Sequence, residues 1–278
     1  MSEQETHMSM DAPTRRFARE NGTSRGGDDR RPAPVILAGG KGTRLAPFTS
    51  VLPKPLMPLG DGPILDVLLR QLHAQGWDET TLAVGHMADL IRAYCGNGER
   101  YGMDVSYIQE TTPLGTVGPL AFLPEETRSR RLIVMNGDLL TTLRFNDLVD
   151  AHDESGAVLT IAVMRRPIKV EFGVLDLGEH IGAARAITSY REKPEIESTV
   201  SMGVYVFEPE ALTYVTPGEP LDIPTLINRL LADGRPVAGY PFDGYWLDIG
   251  RHSDYQQAID DFEKIREQLL APVQEVRA

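Results

Sequence analysis

An apolar run, Ala33 to Ala38, leads straight into Gly39-Gly-Lys-Gly-Thr-Arg-Leu45, and Pro47 and Pro53-Lys-Pro-Leu-Met-Pro58 follow. The run reads as a buried strand, and the glycines mark a turn at its carboxyl end. In an open α/β sheet that edge is where ligands bind. Small residues there let backbone N–H groups approach an anion, and Lys41, Arg44 and Lys54 bring charge for several phosphates. The segment is not a P-loop, because Gly42 rather than Ser or Thr follows Lys41. Nor is it G-x-G-x-x-G, because Leu45 stands at the third glycine position. An ordinary ATPase and a dehydrogenase are therefore unsupported, whereas a nucleoside triphosphate suits the charge.

Beyond this loop, short apolar runs alternate with amphipathic stretches. Strands are expected at 81–84, 105–108 and 132–135, helices at about 63–75 and 87–94, and a helical segment near 116–122. In the first helix Ile64, Leu65, Leu68, Leu69 and Leu72 share a face, Pro63 suits the first turn, and Gly76 follows as a stop. The alternation implies right-handed crossovers and a mostly parallel sheet with helices on both faces, an α/β class. After about residue 155 strands predominate, at 158–163, 172–176, 184–191 and 201–207, and suggest a substrate-facing half. Helices are expected at about 222–231, with Asp222 as N-cap, and at 253–270. The organisation is read as an extension over 1–32 and one domain over 33–278. That domain divides into a nucleotide-binding half (33–155), a substrate-facing half (156–250) and a C-terminal helix (251–278).

Residues 1–32 hold few large apolar side chains and their charges cancel, so they are expected to be disordered rather than a basic targeting or nucleic-acid arm. Forty acidic against 28 basic residues leave a formal charge of −12, which disfavours nucleic acid and anionic membranes as partners. No run approaches the ~18 apolar residues of a membrane helix, and no secretory h-region is visible, so the chain reads as cytoplasmic. One cysteine, Cys95, excludes an internal disulfide and a Cys-rich zinc site.

Two carboxylates emerge from apolar segments beside glycine: Asp138 in Val134-Met-Asn-Gly-Asp and Asp248 in Gly244-Tyr-Trp-Leu-Asp-Ile-Gly. With phosphate oxygens and water they would satisfy Mg²⁺, which seldom has an all-protein cage. In Glu110-Thr-Thr-Pro-Leu-Gly-Thr-Val-Gly118 a turn with two glycines opens a helical segment, and its backbone and Leu114 could meet a flat base. Arg191-Glu-Lys-Pro194 sets a carboxylate beside an ammonium at a strand end.

The ordered set G-G-x-G-T-R-L, P-K-P-L, P-L-G-T-x-G, N-G-D, E-K-P and G-Y-W-L-D-I-G resembles the sugar-1-phosphate nucleotidyltransferases over about residues 33–265. The resemblance implies a three-layer α/β/α sandwich, Rossmann-like, whose strand-rich half binds the sugar. It also implies a reaction that joins a nucleoside triphosphate and a sugar 1-phosphate into a nucleotide sugar plus pyrophosphate. By position, Leu37, Gly39, Gly40, Gly42, Thr43, Pro113, Leu114, Gly115 and Gly118 would bind the nucleotide. Arg44, Lys54 and Lys193 would be catalytic, Gly137, Gly173, Glu192 and Gly203 would bind the sugar, and Asp138 and Asp248 would hold Mg²⁺. Guanylyltransferases for mannose- or heptose-type phosphates look most similar; thymidylyl, uridylyl and adenylyl transfer stay open.

Two departures from the family pattern stand out. Pro119 follows the base-binding turn where a small helix former is usual, and Ser201-Met202 stands where Asn-Thr or Asn-Ala is common before Gly203; the second removes an amide that commonly touches the sugar and so admits an unusual sugar or a cyclitol phosphate. A catalytically silent binding subunit is the alternative of another class, and homo-oligomers occur in the family. The histidines need no catalytic role, because a phosphate nucleophile is already ionised at neutral pH.

Overall fold

The computed structural model describes residues 31–270; the expected N-terminal extension lies almost wholly outside the described residues, as do the last eight residues of the chain. The chain runs β1 (Ala33–Ala38), β2 (Pro58–Leu59), β3 (Gly62–Pro63), α1 (Ile64–Ala74), β4 (Glu79–Val84), α2 (Ala88–Cys95), β5 (Asp104–Gln109) and α3 (Glu125–Arg128). Then come β6 (Leu132–Asn136), β7 (Leu139–Thr141), α4 (Phe145–Ser155), β8 (Leu159–Lys169), β9 (Val174–Ile181), β10 (Ala184–Arg191) and β11 (Glu195–Phe207). It closes with α5 (Ile223–Ala232), β12 (Val237–Pro241), β13 (Trp246–Asp248) and α6 (His252–Leu270).

A seven-stranded sheet has the order β12-β8-β11-β6-β1-β4-β5. Pairing is parallel except where β11 runs antiparallel to both β6 and β8. Strand parity sorts the core into two layers, as the period of two requires. Ile36, Ile133, Met135, Val204 and Val206 pack under α1, α2 and α4. Val35, Leu132, Val134, Tyr205 and Phe207 pack under α5 and the short turns at 118–122 and 209–214. The result is the three-layer α/β/α arrangement.

A third cluster matters for the site. In it α6 buries Ala258, Phe262 and Leu269 against Leu45, Met57, Leu59, Ile64 and Leu247. The Tyr255 hydroxyl donates to Pro58 O at 2.7 Å, and His252 Nε2 lies 2.8 Å from Ala46 O. The C-terminal helix is thus a brace for the glycine-rich loop and the prolines after it.

Several elements differ from expectation. The segment near 116–122 is a 3₁₀ turn over Gly118–Phe122, not an α-helix, and Pro119 near its start removes a donor. Helix α4 was not foreseen, because one of its three buried residues is polar His152, which breaks the apolar pattern. Strands β8 and β11 run well past their expected ends. Their extensions, up to Lys169 and from Glu195, pair with each other beyond the core, where no burial imposes an apolar alternation. Asp222 does stand at the N-cap of α5, but its side chain makes no capping bond there.

Candidate active site

The glycine loop leaves the end of β1 and is folded back by residues that only glycine permits. Gly42 has φ +61°, and a Cβ there would stand 2.9 Å from Thr49 Cγ2 and 3.2 Å from Lys54 Cβ. Thr49 Oγ1 donates to Gly42 O at 2.9 Å, tying the loop to the following turn. Leu45, with no exposure, anchors it in the cluster under α6. Gly40 faces open space.

Opposite the loop, Gly137 N–H donates to Leu37 O at 2.9 Å, so the chain after β6 turns beside β1 and delivers Asp138 to the same edge. Asp248 arrives from far along the sequence because β13 pairs with β7. There Asp248 is opposite Leu139, and Ile249 N–H donates to Asp138 O at 3.0 Å. A cavity of about 250 Å³ results, lined by Leu37, Gly40, Gly42, Arg44, Lys54 and Asp138 among others. Gly137, expected on the sugar side, lines this cavity too.

Charge in the cavity is closely arranged. Lys54 is 8% exposed and its Nζ pairs with Asp138 Oδ2. Asp138 Oδ1 is buried with no hydrogen-bond partner. Asp248 is solvent-accessible, yet its carboxyl is pushed above the usual carboxylate range by lost hydration and by Asp138; Lys54 and Arg44 oppose the shift, and Asp254 adds to it. Around Gly250, Arg44 Nη2 and the Oδ2 atoms of Asp248 and Asp254 each lie 3.5–3.6 Å from where a Cβ would sit. Asp254, in the first turn of α6, was not singled out by the sequence, which offers no signal linking it to Asp248. Arg44 is exposed and has no ion pair among the described residues.

An orphaned buried carboxylate oxygen beside a second carboxylate suits a hard cation. No group of three ligand-type side chains comes together among the described residues, so such a cation would need phosphate oxygens to complete its shell.

The turn at 113–118 is held by backbone bonds. Leu114 is 3% exposed, its N–H donates to Glu110 Oε2 at 2.9 Å, and its carbonyl accepts Leu221 N–H at 2.9 Å. Leu114 therefore holds the turn rather than offering a platform to a base, and Gly118 is likewise buried. Pro113, Gly115 and Thr116 remain exposed. Asp222, free of a capping duty, accepts Thr116 N–H at 3.1 Å, and Ile223 N–H donates to Thr116 Oγ1 at 2.9 Å. Glu110 is the residue whose role the motif did not reveal. Its Oε1 would be 2.8 Å from a Cβ on either Gly39 or Gly85, so those glycines make room for it, and this oxygen accepts no hydrogen bond among the described residues.

A second cavity, about 340 Å³, includes Asn136, which adjoins Gly137 of the first cavity in the chain. Thr116, Ser201, Tyr205, Ile223 and Ile227 are among its other walls. Gly203, φ +78°, admits the Asn136 amide at 2.5 Å from its would-be Cβ. Ser201 Oγ and Tyr205 Oη are 3.1 Å apart. Glu192, Lys193 and Gly173 gather at the base of the β9–β10 ribbon. There Tyr190 donates to Glu192 and packs against Gly173, and Lys193 takes φ +41°. None of the three lines either cavity.

Among the described residues no helix is long and apolar enough to cross a membrane. The profile of the nucleotidyl transferase family matches residues 33–265. Among curated proteins, the chain is 32% identical over 243 residues to a UTP–glucose-1-phosphate uridylyltransferase of Synechocystis, covering 81% of this chain and 62% of that one. It is 31% identical over 231 residues to a mannose-1-phosphate guanylyltransferase of Mycobacterium tuberculosis, covering 82% and 63%. The chain thus spans less than two thirds of the length of these relatives. Among solved structures, HddC from Yersinia pseudotuberculosis superposes with a TM-score of 0.64 at 25% identity, over 84% of this chain and all of that one.

Proposed function

The chain belongs to the nucleotidyl transferase family, and from that premise we propose that it joins GTP to a sugar 1-phosphate, yielding a nucleotide sugar and pyrophosphate. The observation that carries this reading is the cavity lined by Gly40, Gly42, Arg44, Lys54 and Asp138, with the Asp248 carboxylate close enough to Asp138 to feel its charge. A silent subunit would have no use for that set.

A phosphate oxygen of the sugar 1-phosphate attacks the α-phosphorus in line, and the bond to pyrophosphate breaks on the opposite side. The nucleophile is ionised at neutral pH, so no general base is needed. Catalysis rests on positioning two anions and meeting charge with fixed cations. Gly39, Gly40, Gly42 and Thr43 cradle the triphosphate. Unpaired Arg44 takes the β,γ-phosphates, and Lys54, held in place by Asp138, meets the α-phosphate. Asp138 and Asp248 would hold Mg²⁺, which when bound neutralises phosphate charge and orients the triphosphate. The larger cavity takes the sugar or cyclitol ring, with the Ser201 and Tyr205 hydroxyls meeting its hydroxyls. Lys193 and Glu192 meet the sugar phosphate and sugar from the ribbon.

Glu110 supports guanine. A carboxylate only accepts hydrogen bonds. Guanine offers N1–H and the N2 amino group side by side, whereas uracil and thymine offer one N–H flanked by two carbonyl oxygens that a carboxylate repels.

Pyrophosphate release over a panel of nucleoside triphosphates and sugar or cyclitol 1-phosphates tests the reading. Release should require one pair and fall by about three orders of magnitude in Asp138→Asn, as for loss of a group stabilising transition-state charge. Glu110→Gln should narrow the preference for GTP over UTP by roughly tenfold or more, the worth of one charge-assisted hydrogen bond. Release with UTP or dTTP in place of GTP would replace the base assignment. Release that Asp138→Asn leaves intact would overturn the site.

A further inference from the structure

Arg44 sits in the short 3₁₀ turn Thr43–Leu45, and that turn is fixed against the start of α6. Leu45 is buried under α6, His252 Nε2 lies 2.8 Å from Ala46 O, and the Phe48 and His252 rings stand 5.7 Å apart. The backbone of Arg44 is therefore held. Its side chain, exposed and without an ion pair among the described residues, is free to swing.

Two carboxylates stand within its range. Arg44 Nη2 and the Oδ2 atoms of Asp248 and Asp254 all lie within 3.6 Å of the point where a Cβ on Gly250 would stand. Gly250 lines the first cavity and, having no side chain, leaves that space open. Asp254 is half-buried, and the Ser253 hydroxyl donates to its Oδ1 at 3.4 Å, so Oδ2 is the oxygen left on the side shared with Arg44. An acid in the first turn of α6 also suits the positive end of the helix dipole. The dipole accounts for the charge but not for its place beside a guanidinium.

That place bears on the reaction proposed above, on which this inference rests. Pyrophosphate must leave the same cations that met the β,γ-phosphates, and product release limits many enzymes. Lys54 already has Asp138, and Asp248 would hold the metal, so Asp254 is the carboxylate left to receive Arg44. We propose that Asp254 is a positioning residue for Arg44: it draws the guanidinium back from the phosphates and so shortens the residence of pyrophosphate. A carboxylate a few ångströms from Arg44 competes with phosphate for it. At a solvent-accessible site one unit charge at that range changes affinity by roughly threefold to tenfold.

Calorimetric titration of magnesium pyrophosphate into the full chain reads this directly. Asp254→Asn should bind pyrophosphate roughly threefold to tenfold more tightly than the wild type, and Asp254→Glu should stay near the wild type. Asp260→Asn removes the same charge from an exposed position on the same helix and should change nothing. In an Arg44→Ala background the gain from Asp254→Asn should largely vanish, because the carboxylate acts through the guanidinium. In turnover, KM for the triphosphate and kcat should fall together in Asp254→Asn, whereas loss of a merely structural acid would weaken binding and lower the unfolding midpoint. Pyrophosphate affinity that is unchanged or weaker in a folded Asp254→Asn protein, or a gain that persists undiminished without Arg44, would overturn this inference alone. A wild type that binds no pyrophosphate would overturn the proposed reaction with it.

Discussion

Replacing Gly115 by alanine isolates how the 113–118 turn is built. Gly115 has φ +76°, and a Cβ on it would stand 2.5 Å from Asp222 Oδ1 and 2.7 Å from the Leu221 carbonyl oxygen. Gly234 is the control, with φ +67° and nothing within 4 Å of its Cβ position. Gly234→Ala should cost only the left-handed backbone, about 1–2 kcal/mol. Gly115→Ala pays the same and must also push Asp222 and Leu221 away, which opens the bond to Thr116 N–H and strains the Val117 and Gly118 N–H bonds to Leu221. A hydrogen bond to a charged group is worth ~1.5–3 kcal/mol. Asp222 is exposed, so the low end applies, and the excess over Gly234→Ala should be about 2 kcal/mol, roughly thirtyfold in an equilibrium constant. Urea unfolding of both variants reads the stability difference. The KM for the nucleoside triphosphate should rise in Gly115→Ala alone, with kcat less affected. Equal unfolding midpoints and equal KM values in the two variants would refute the idea that Leu221 and Asp222 shape the turn.

Two further outcomes follow from buried groups. His152 is 1% exposed between Thr160 and Glu208; burial lowers its pKa below the ordinary value, with the Glu208 hydrogen bond opposing. The unfolded chain binds a proton near pH ~6.5 that the folded one resists, so stability is full above that pH and falls as pH drops below it. Urea midpoints should therefore fall between about pH 7.5 and about pH 5.5 more in the wild type than in His152→Gln, and parallel slopes would refute this. Burial pushes the Cys95 thiol up to about 11, so maleimide should not label the native protein at neutral pH and should label it in denaturant, read by mass spectrometry.

How much was legible depended on how local the signal is. The edge of β1, the glycine loop and the emergence of Asp138 after β6 were readable because a strand followed by glycine is a local pattern with one geometric outcome. Helix α1 was readable because Ile64, Leu65, Leu68, Leu69 and Leu72 all point inward. Helix α4 was not, because His152 completes its buried face by bonding to Thr160 and Glu208, partners that sequence cannot supply. Asp222 stands at its expected N-cap but its side chain bonds elsewhere, and Leu114 lies in the expected turn but is buried, both for a related reason. Each has the residue type for its expected task, but each is engaged by the other's neighbourhood, more than a hundred residues away.

What the sequence determined by itself was the layered α/β class and the glycine-rich, basic turn at the edge of β1, since periodicity and glycine placement act within a few residues. What only the tertiary structure decided was convergence. The pairing of β13 with β7 sets Asp248 beside Asp138, α6 braces the loop that carries Arg44, and Glu110 settles between Gly39 and Gly85. These contacts depend on which distant segments share a sheet edge, and that is settled by burying the whole core at once rather than by any stretch of chain alone.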